Sequence, residues 1–241
     1  MAGAPRALFF DVFGTLVDWR GSIAAGAEDV LGSRPGLDFG AFADAWRDEY
    51  QPAMEAVRAG GRGFVRLDVL HAENLARILP RFGLGGLDAE TMGELVALWH
   101  ALDAWPDVTM GLARLRTRFR VAPVSNGNVA IMADLARHNG FLWDAVLGAE
   151  FSRDYKPKPR VYLDAAAAFG LPPDRCVMVA AHSGDLAAAK ACGLMTAHVA
   201  RPDEGGPGGG ERAPSIDVDF VARDLIDLAS LLGSALEDAD G

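Results

Sequence analysis

Asp11, Ser125 with Asn126, Lys156, and the pair His182 and Asp185 are the residues of this 241-residue chain whose types and positions suit chemistry. A carboxylate is a weak nucleophile in water. Stripped of hydration and held in fixed geometry, it can attack a neighbouring carbon, and Asp11 is the candidate for that part. Lys156, a compact cation, suits the task of keeping such a carboxylate ionised, because an opposite charge within hydrogen-bonding reach favours the charged form. Lysine is scarce here, only Lys156, Lys158 and Lys190, which weakens the alternative that Lys156 belongs to a merely solvated Lys-Pro-Lys-Pro bend. The Ser125 hydroxyl, with the N–H groups that open the next helix, suits a carboxylate or a phosphate. Each spot alone has a bland reading: an Asp before a turn is usually a cap, and Ser-Asn-Gly is a common turn. Their order, and their shared place at strand ends, give them weight together.

Five short apolar runs supply those ends: residues 7–10, 119–124, 145–147, 176–180 and 195–199. Helical patterns over residues 109–118, 129–138, 159–169 and 186–192 alternate with them. Strands joined by helical crossovers make a parallel sheet flanked by helices, an α/β fold whose ligands lie beyond the carboxyl ends of the strands. Residues 19–103 differ, with apolar residues at three- and four-residue steps such as Phe39, Phe42, Trp46 and Tyr50, and no strand pattern. This predicts an inserted all-helical cap, with the core formed by residues 1–18 and 104–241, and a cap over the strand ends acts as a water-excluding lid. Residues 201–212, rich in Gly, Pro and charge, read as a surface loop, because no helix start stands behind the glycines as a phosphate cradle requires.

Composition narrows the class. Against 23 Lys plus Arg stand 33 Asp plus Glu, a net charge of −10, which repels phosphate backbones and anionic lipid and argues against nucleic-acid or membrane partners. Half of the residues are hydrophobic, enough for a large core. Cys176 and Cys192 read as two buried thiols of a reducing compartment, and with no secretory pattern near Met1 the expected location is cytoplasmic. His71, His100, His138 and His198 lack metal-site spacing and read as ordinary helix or strand residues.

In its motifs the chain resembles the haloacid dehalogenase superfamily: Phe10-Asp11-Val12-Phe13-Gly14-Thr15-Leu16, Val124-Ser125-Asn126-Gly127-Asn128, Tyr155-Lys156-Pro157-Lys158-Pro159 and a fourth motif ending at Asp185. With Trp46-Arg47 in the helical stretch, it is most similar to the type II 2-haloacid dehalogenase branch. The resemblance implies a Rossmann-like core, a helical cap, and a covalent ester on Asp11. It implies a short L-2-haloacid as substrate, converted to the 2-hydroxy acid, with Ser125 on the carboxylate and Asn126 and Arg47 near the departing halide. Phe13 and Tyr162 join the substrate-binding residues on the same ground, Tyr162 equally readable as core packing. Dimers are frequent in that family, so a homodimer is a candidate assembly.

Phosphatases of the superfamily carry a second Asp two residues after the nucleophile, where this chain has Phe13, and an acidic Mg²⁺ ligand four before the last motif's Asp, where it has Ala181. A halide, the anion of a strong acid, leaves without a proton donor, so no metal and no cofactor are expected. Two rivals stand beside the dehalogenase: a phosphatase acting on small phosphomonoesters through other groups, and a catalytically silent binding module. Hydrolysis of the ester needs a base. Asp185 is the expected one, with His182 as a partner or substitute, or else as a cap of the helix that follows. Ala180, His182 and Gly184 stand where members of the branch carry Ser, Asn and Trp, and Gly184 predicts a roomier pocket.

Overall fold

The computed structural model describes residues 4–240, with side chains described through residue 234; the remaining terminal residues of the expected core lie outside them. Six strands form one parallel sheet: β1 (Ala7–Phe10), β2 (Arg120–Ser125), β3 (Leu147–Gly148), β4 (Cys176–Ala180), β5 (Met195–Val199) and β6 (Phe220–Ala222), in the order β3-β2-β1-β4-β5-β6. The chain starts in the middle and winds outward in both directions, so β1 lies between β2 and β4, with Phe10 level with Pro123 and Val179. The tips of β1, β2 and β4 therefore emerge side by side.

Strand side chains alternate between faces, and two buried clusters follow that period. Leu8, Phe10, Val121, Val177, Val179 and Val199 join one cluster, packed with Leu112, Leu115, Ile131, Leu225 and Leu228 from helices α6 (Val108–Arg116), α7 (Val129–Asn139) and α11 (Leu225–Asp240). Ala7, Phe9, Ala122, Val124, Met178 and Ala180 join the other, against Val161, Ala165, Leu186 and Ala189 of α9 (Pro159–Ala168) and α10 (Ser183–Ala191). Burial on both faces explains the continuous apolar runs.

Between β1 and β2 run α1 (Trp19–Leu31), α2 (Phe39–Asp48), α3 (Tyr50–Arg58), α4 (Leu67–Ile78) and α5 (Ala89–Ala97), and no strand occurs in residues 19–103. Asp18, Asp38 and Asp88 cap α1, α2 and α5 by accepting N–H bonds from Gly21, Ala41 and Thr91, satisfying donors that helix starts leave open. The two connections into this helical segment meet: Val17 bridges Ala104, and the Asp18 N–H donates to Asp103 O at 2.8 Å.

Several sequence expectations are corrected. The stretch before Lys156 contains a short helix, α8 (Ala149–Ser152), so Lys156 stands on the loop after α8 rather than at a strand tip. Cys176 is buried but Cys192 only partly so. Residues 201–212 are also no mere surface loop. Arg201 is 6% exposed, its Nε donates to Thr15 O at 2.8 Å, and its guanidinium pairs with Asp107 at 2.8 Å, which pins the segment to the core. No described helix is long and apolar enough to cross a membrane.

Candidate active site

Asp11 follows the last residue of β1, and its N–H still donates to Val179 O at 3.0 Å, so sheet pairing fixes its backbone up to the point where the side chain leaves. Asp11 is 8% exposed, and its carboxylate carries donors on both oxygens. Lys156 Nζ donates to Oδ1 at 2.8 Å; the Thr15 hydroxyl at 2.9 Å and the His182 ring Nδ1 at 3.0 Å meet Oδ2. Thr15 is held in turn by the Ala181 N–H at 2.9 Å. Burial would push the Asp11 carboxyl up, but the Lys156 charge and the His182 contact outweigh it and hold it well below the usual carboxylate range.

Lys156 makes a second bond, 2.6 Å to Asp185 Oδ2, and its backbone N–H donates to Asn126 Oδ1 at 2.8 Å. Burial would lower the ammonium, yet the two carboxylates raise it above the ordinary lysine value. The remaining oxygen of Asp185 accepts the Tyr162 hydroxyl at 2.5 Å. Burial and the adjacent Asp185 push the Tyr162 phenol up, so it stays protonated and can donate to Asp185. Asp185, the expected base, thus has one oxygen engaged by Lys156 and the other by Tyr162.

His182 stands at the N-cap position of α10, yet its side chain makes no capping bond. It spans Asp11 and Glu204 instead, with Nε2 2.8 Å from Glu204 Oε2. Burial would lower its pKa, but the hydrogen bonds to the two carboxylates raise it to about 10. Glu204 also accepts the Trp19 indole N–H at 3.0 Å. Glu204 escaped the sequence reading because it lies in an aperiodic Gly-rich stretch, 22 residues from His182 and 185 from Trp19. Nothing local marks it; only the docking of that loop does.

Above Asp11 opens a cavity of about 710 Å³ lined by Asp11, Phe13, Arg47, Tyr50, Asn126, Lys156, His182 and Asp185, with Gln51, Glu55 and Arg58 also on its wall. Arg47 comes from the last turn of α2, its guanidinium carbon 4.0 Å from the Tyr50 ring centre, 5.3 Å from Trp19 and 5.8 Å from Phe13. Buried Nη1 of Arg47 has no hydrogen-bond partner among the described residues. A caged cation with an unspent donor is a site for an incoming anion. Gly184 borders the cavity, and a Cβ added there would meet nothing within 4 Å. Ser125 and Tyr162 lie outside the wall: Ser125 is fully buried, with its hydroxyl accepting the Gly127 N–H at 3.0 Å, and Tyr162 reaches the site through Asp185.

The donor set does not fit the cation that phosphatases of this fold use. Both Asp11 oxygens face donors, Lys156 occupies the centre, and position 181 offers a methyl group and a backbone N–H pledged to Thr15. Among the described residues, no three His, Cys, Asp or Glu side chains are grouped to hold a metal.

A family model described as haloacid dehalogenase-like hydrolase matches residues 5–193. The chain belongs to that family. Among its relatives within the haloacid dehalogenase-like hydrolases, (S)-2-haloacid dehalogenase 4A of Burkholderia cepacia is 28% identical over 89% of this chain and 90% of its own. The (S)-2-haloacid dehalogenase 1 of Pseudomonas sp. (strain CBS-3) is also 28% identical, over 81% and 85%. The solved structure of the defluorinating L-2-haloacid dehalogenase Rha0230 superposes with a TM-score of 0.91 at 42% identity, covering 95% of each chain. That of the L-2-haloacid dehalogenase PA0810 superposes with a TM-score of 0.90 at 43% identity, covering 95% of this chain and 100% of the other. This haloacid dehalogenase-like hydrolase therefore shares its fold and much of its sequence with enzymes of the 2-haloacid dehalogenase branch.

Proposed function

We propose that the protein hydrolyses the carbon–halogen bond of short L-2-haloacids to 2-hydroxy acids through a covalent ester on Asp11. The observation that carries this reading is the pairing of an ionised, buried carboxylate with a guanidinium whose Nη1 has no hydrogen-bond partner among the described residues, across one cavity. Asp11 Oδ1 carries one donor and Oδ2 two, which leaves Oδ1 the freer nucleophile. Oδ1 attacks C2 from the face opposite the halogen, the C–X electron pair leaves with the halide, and the carbon inverts. Lys156 keeps Asp11 charged, and the fixed carboxylate supplies the proximity on which such a displacement depends. Arg47, with Asn126 nearby, receives the halide, and the Phe13, Trp19 and Tyr50 rings strip water from it. Water then attacks Cγ of the Asp11 ester and the acyl–oxygen bond breaks, returning Asp11 with one oxygen from water. Helices α1 to α5 act as a cap over the strand ends, with residues 19–103 as its extent.

The relatives named 2-haloacid dehalogenases support this substrate class. A phosphatase lacks its acid at Phe13 and its metal ligand at Ala181, and a silent module has no use for an ionised carboxylate facing a cavity. The test is halide release from 2-chloro-, 2-bromo- and 2-fluoropropionate with a chelator present. The fluoro acid is included because one relative is described as defluorinating. Halide released from the L isomers at a chelator-independent rate is the expected result. Magnesium-dependent phosphate release from phosphomonoesters, without halide release, would overturn the proposal.

A further inference from the structure

Asp185 cannot easily serve the second half-reaction, since Lys156 and Tyr162 engage both of its oxygens. The imidazole of His182 has its other face toward Asp11, with Nδ1 3.0 Å from Oδ2. Its far nitrogen meets Glu204 at 2.8 Å. Glu204 is tightly seated. Trp19 Nε1 donates to its other oxygen at 3.0 Å, and its side chain lies directly over Gly14, where a Cβ would stand 1.9 Å from Oε1. Gly14, at φ 84°, thus leaves the space that Glu204 fills. The loop bearing Glu204 closes on itself as tightly, since a Cβ on Gly210 would sit 1.9 Å from Arg201 O. Arg201, anchored to Thr15 O and Asp107, holds its start. None of this is needed to hold a solvent-facing loop.

We propose that His182 is the base that activates water against the Asp11 ester, and that Glu204 is the positioning residue that aims it. This rests on the covalent dehalogenase reading and supplies its second step. Before substrate binds, His182 sits between two carboxylates as an imidazolium. Alkylation of Asp11 removes one of the two negative charges that favour the charged ring, and the surplus proton leaves to solvent, matching the halide released. Glu204 then accepts the Nε2–H, so the neutral ring holds its lone pair on Nδ1, facing the ester. Nδ1 takes a proton from water while the water oxygen bonds to Cγ. The negative charge developing on Oδ2 meets the Thr15 hydroxyl, already 2.9 Å from it. The bond from Cγ to the substrate oxygen breaks, the alkoxide takes the proton from Nδ1, and the Asp11 carboxyl passes its own proton to Nδ1, which restores the carboxylate and the imidazolium. One halide, one proton and one hydroxy acid leave per water consumed. The charged and titratable groups around His182 are Asp11 after β1, Glu204 after β5 and His198 on β5, with Lys156 and Asp185 beyond Asp11.

The test is rapid-quench halide release and intact-protein mass for Glu204→Gln with L-2-chloropropionate. A burst of about one halide per site is expected, with a rate constant within about threefold of the parent. Steady-state turnover should fall by about 100-fold or more, in the range lost with a general base, and the mass of the organic acid should accumulate on the protein. Glu204→Asp should restore part of the turnover. His182→Gln should show the same burst and trapped mass, and it carries the test if Glu204→Gln does not fold. Unchanged steady-state turnover in Glu204→Gln would overturn the proposal, as would burst and turnover falling in parallel, the mark of a merely structural role. No halide from the parent enzyme would instead overturn the dehalogenase reading itself.

Discussion

Replacing Lys156 by Met keeps the length and packing of the side chain and removes its charge, leaving Asp11 and Asp185 without their shared cation. Nζ lies 2.8 Å from one carboxylate and 2.6 Å from the other, and the Lys156 side chain is only 7% exposed. At an effective dielectric constant of about 20, each contact is worth about 6 kcal/mol of gross attraction. Desolvation offsets most of that, and removing one partner of a buried pair costs about 3–5 kcal/mol. His182 and Thr15 still hold Asp11, and Tyr162 still holds Asp185, so the loss should stay within that range. The deficit should also depend on pH. In the parent, the folded-state pKa of Asp11 is depressed, so its contribution to stability is present above the unfolded carboxylate value and is lost as pH falls through the folded one. In Lys156→Met the burial penalty on Asp11 is no longer outweighed to the same extent, and protonating the carboxyl relieves it. Urea unfolding followed by tryptophan fluorescence should show the full deficit at pH 7 and a smaller one near pH 4, about the intrinsic carboxylate range. A deficit below about 1 kcal/mol, typical of an exposed pair, or one that grows with acidity, would refute the reasoning. Halide release should fall by at least about 100-fold in the same variant, because the nucleophile loses charge and orientation together.

Arg47→Met should leave the fold intact and slow halide release by about 10–100-fold, the worth of a charge-assisted hydrogen bond of about 1.5–3 kcal/mol, a loss read from steady-state halide assays; an unchanged rate would remove Arg47 from the leaving-group site. Gly184→Leu should fill space that is now open, so the rate ratio of two-carbon to four-carbon haloacids should rise at least several-fold, and an unchanged ratio would deny Gly184 a part in chain-length selection. The folded-state pKa of His182 is raised to about 10, above the unfolded value of about 6.5. Its contribution to stability is therefore complete below pH 6.5 and is lost as pH rises through 10, so parent and His182→Gln should differ most at pH 6 and converge in alkali, as urea titrations at both pH values would report.

Much of this site was legible in the residue order, because a parallel sheet brings strand tips together without asking where the chain goes between them. The apolar runs 7–10, 176–180 and 195–199 coincide with β1, β4 and β5, which are buried on both faces and have little freedom of register. Asp11 and His182 follow from that placement alone. Lys156 lies 2.8 Å from Asp11, the neighbour the sequence reading gave it, but on a different element, since the four residues of α8 are too few to show helical periodicity. The part played by Glu204 was illegible. Gly-rich sequence reads as loose loop, and only the anchoring of Arg201 by Asp107 and the space over Gly14 turn it into a fixed arm. The engagement of Asp185 by Tyr162 was hidden in the same way, because a phenol 23 residues upstream has no local signature.

A single turnover in H₂¹⁸O, with enzyme in excess over L-2-chloropropionate, tests the central claim most directly, because an ester on Asp11 must be opened at its acyl carbon. The heavy oxygen is expected in the peptide containing Asp11, with the first equivalent of 2-hydroxy acid unlabelled. Label in the hydroxy acid after that one turnover, with the Asp11 peptide unchanged, would mean that water attacks the substrate carbon itself and that Asp11 never forms the bond.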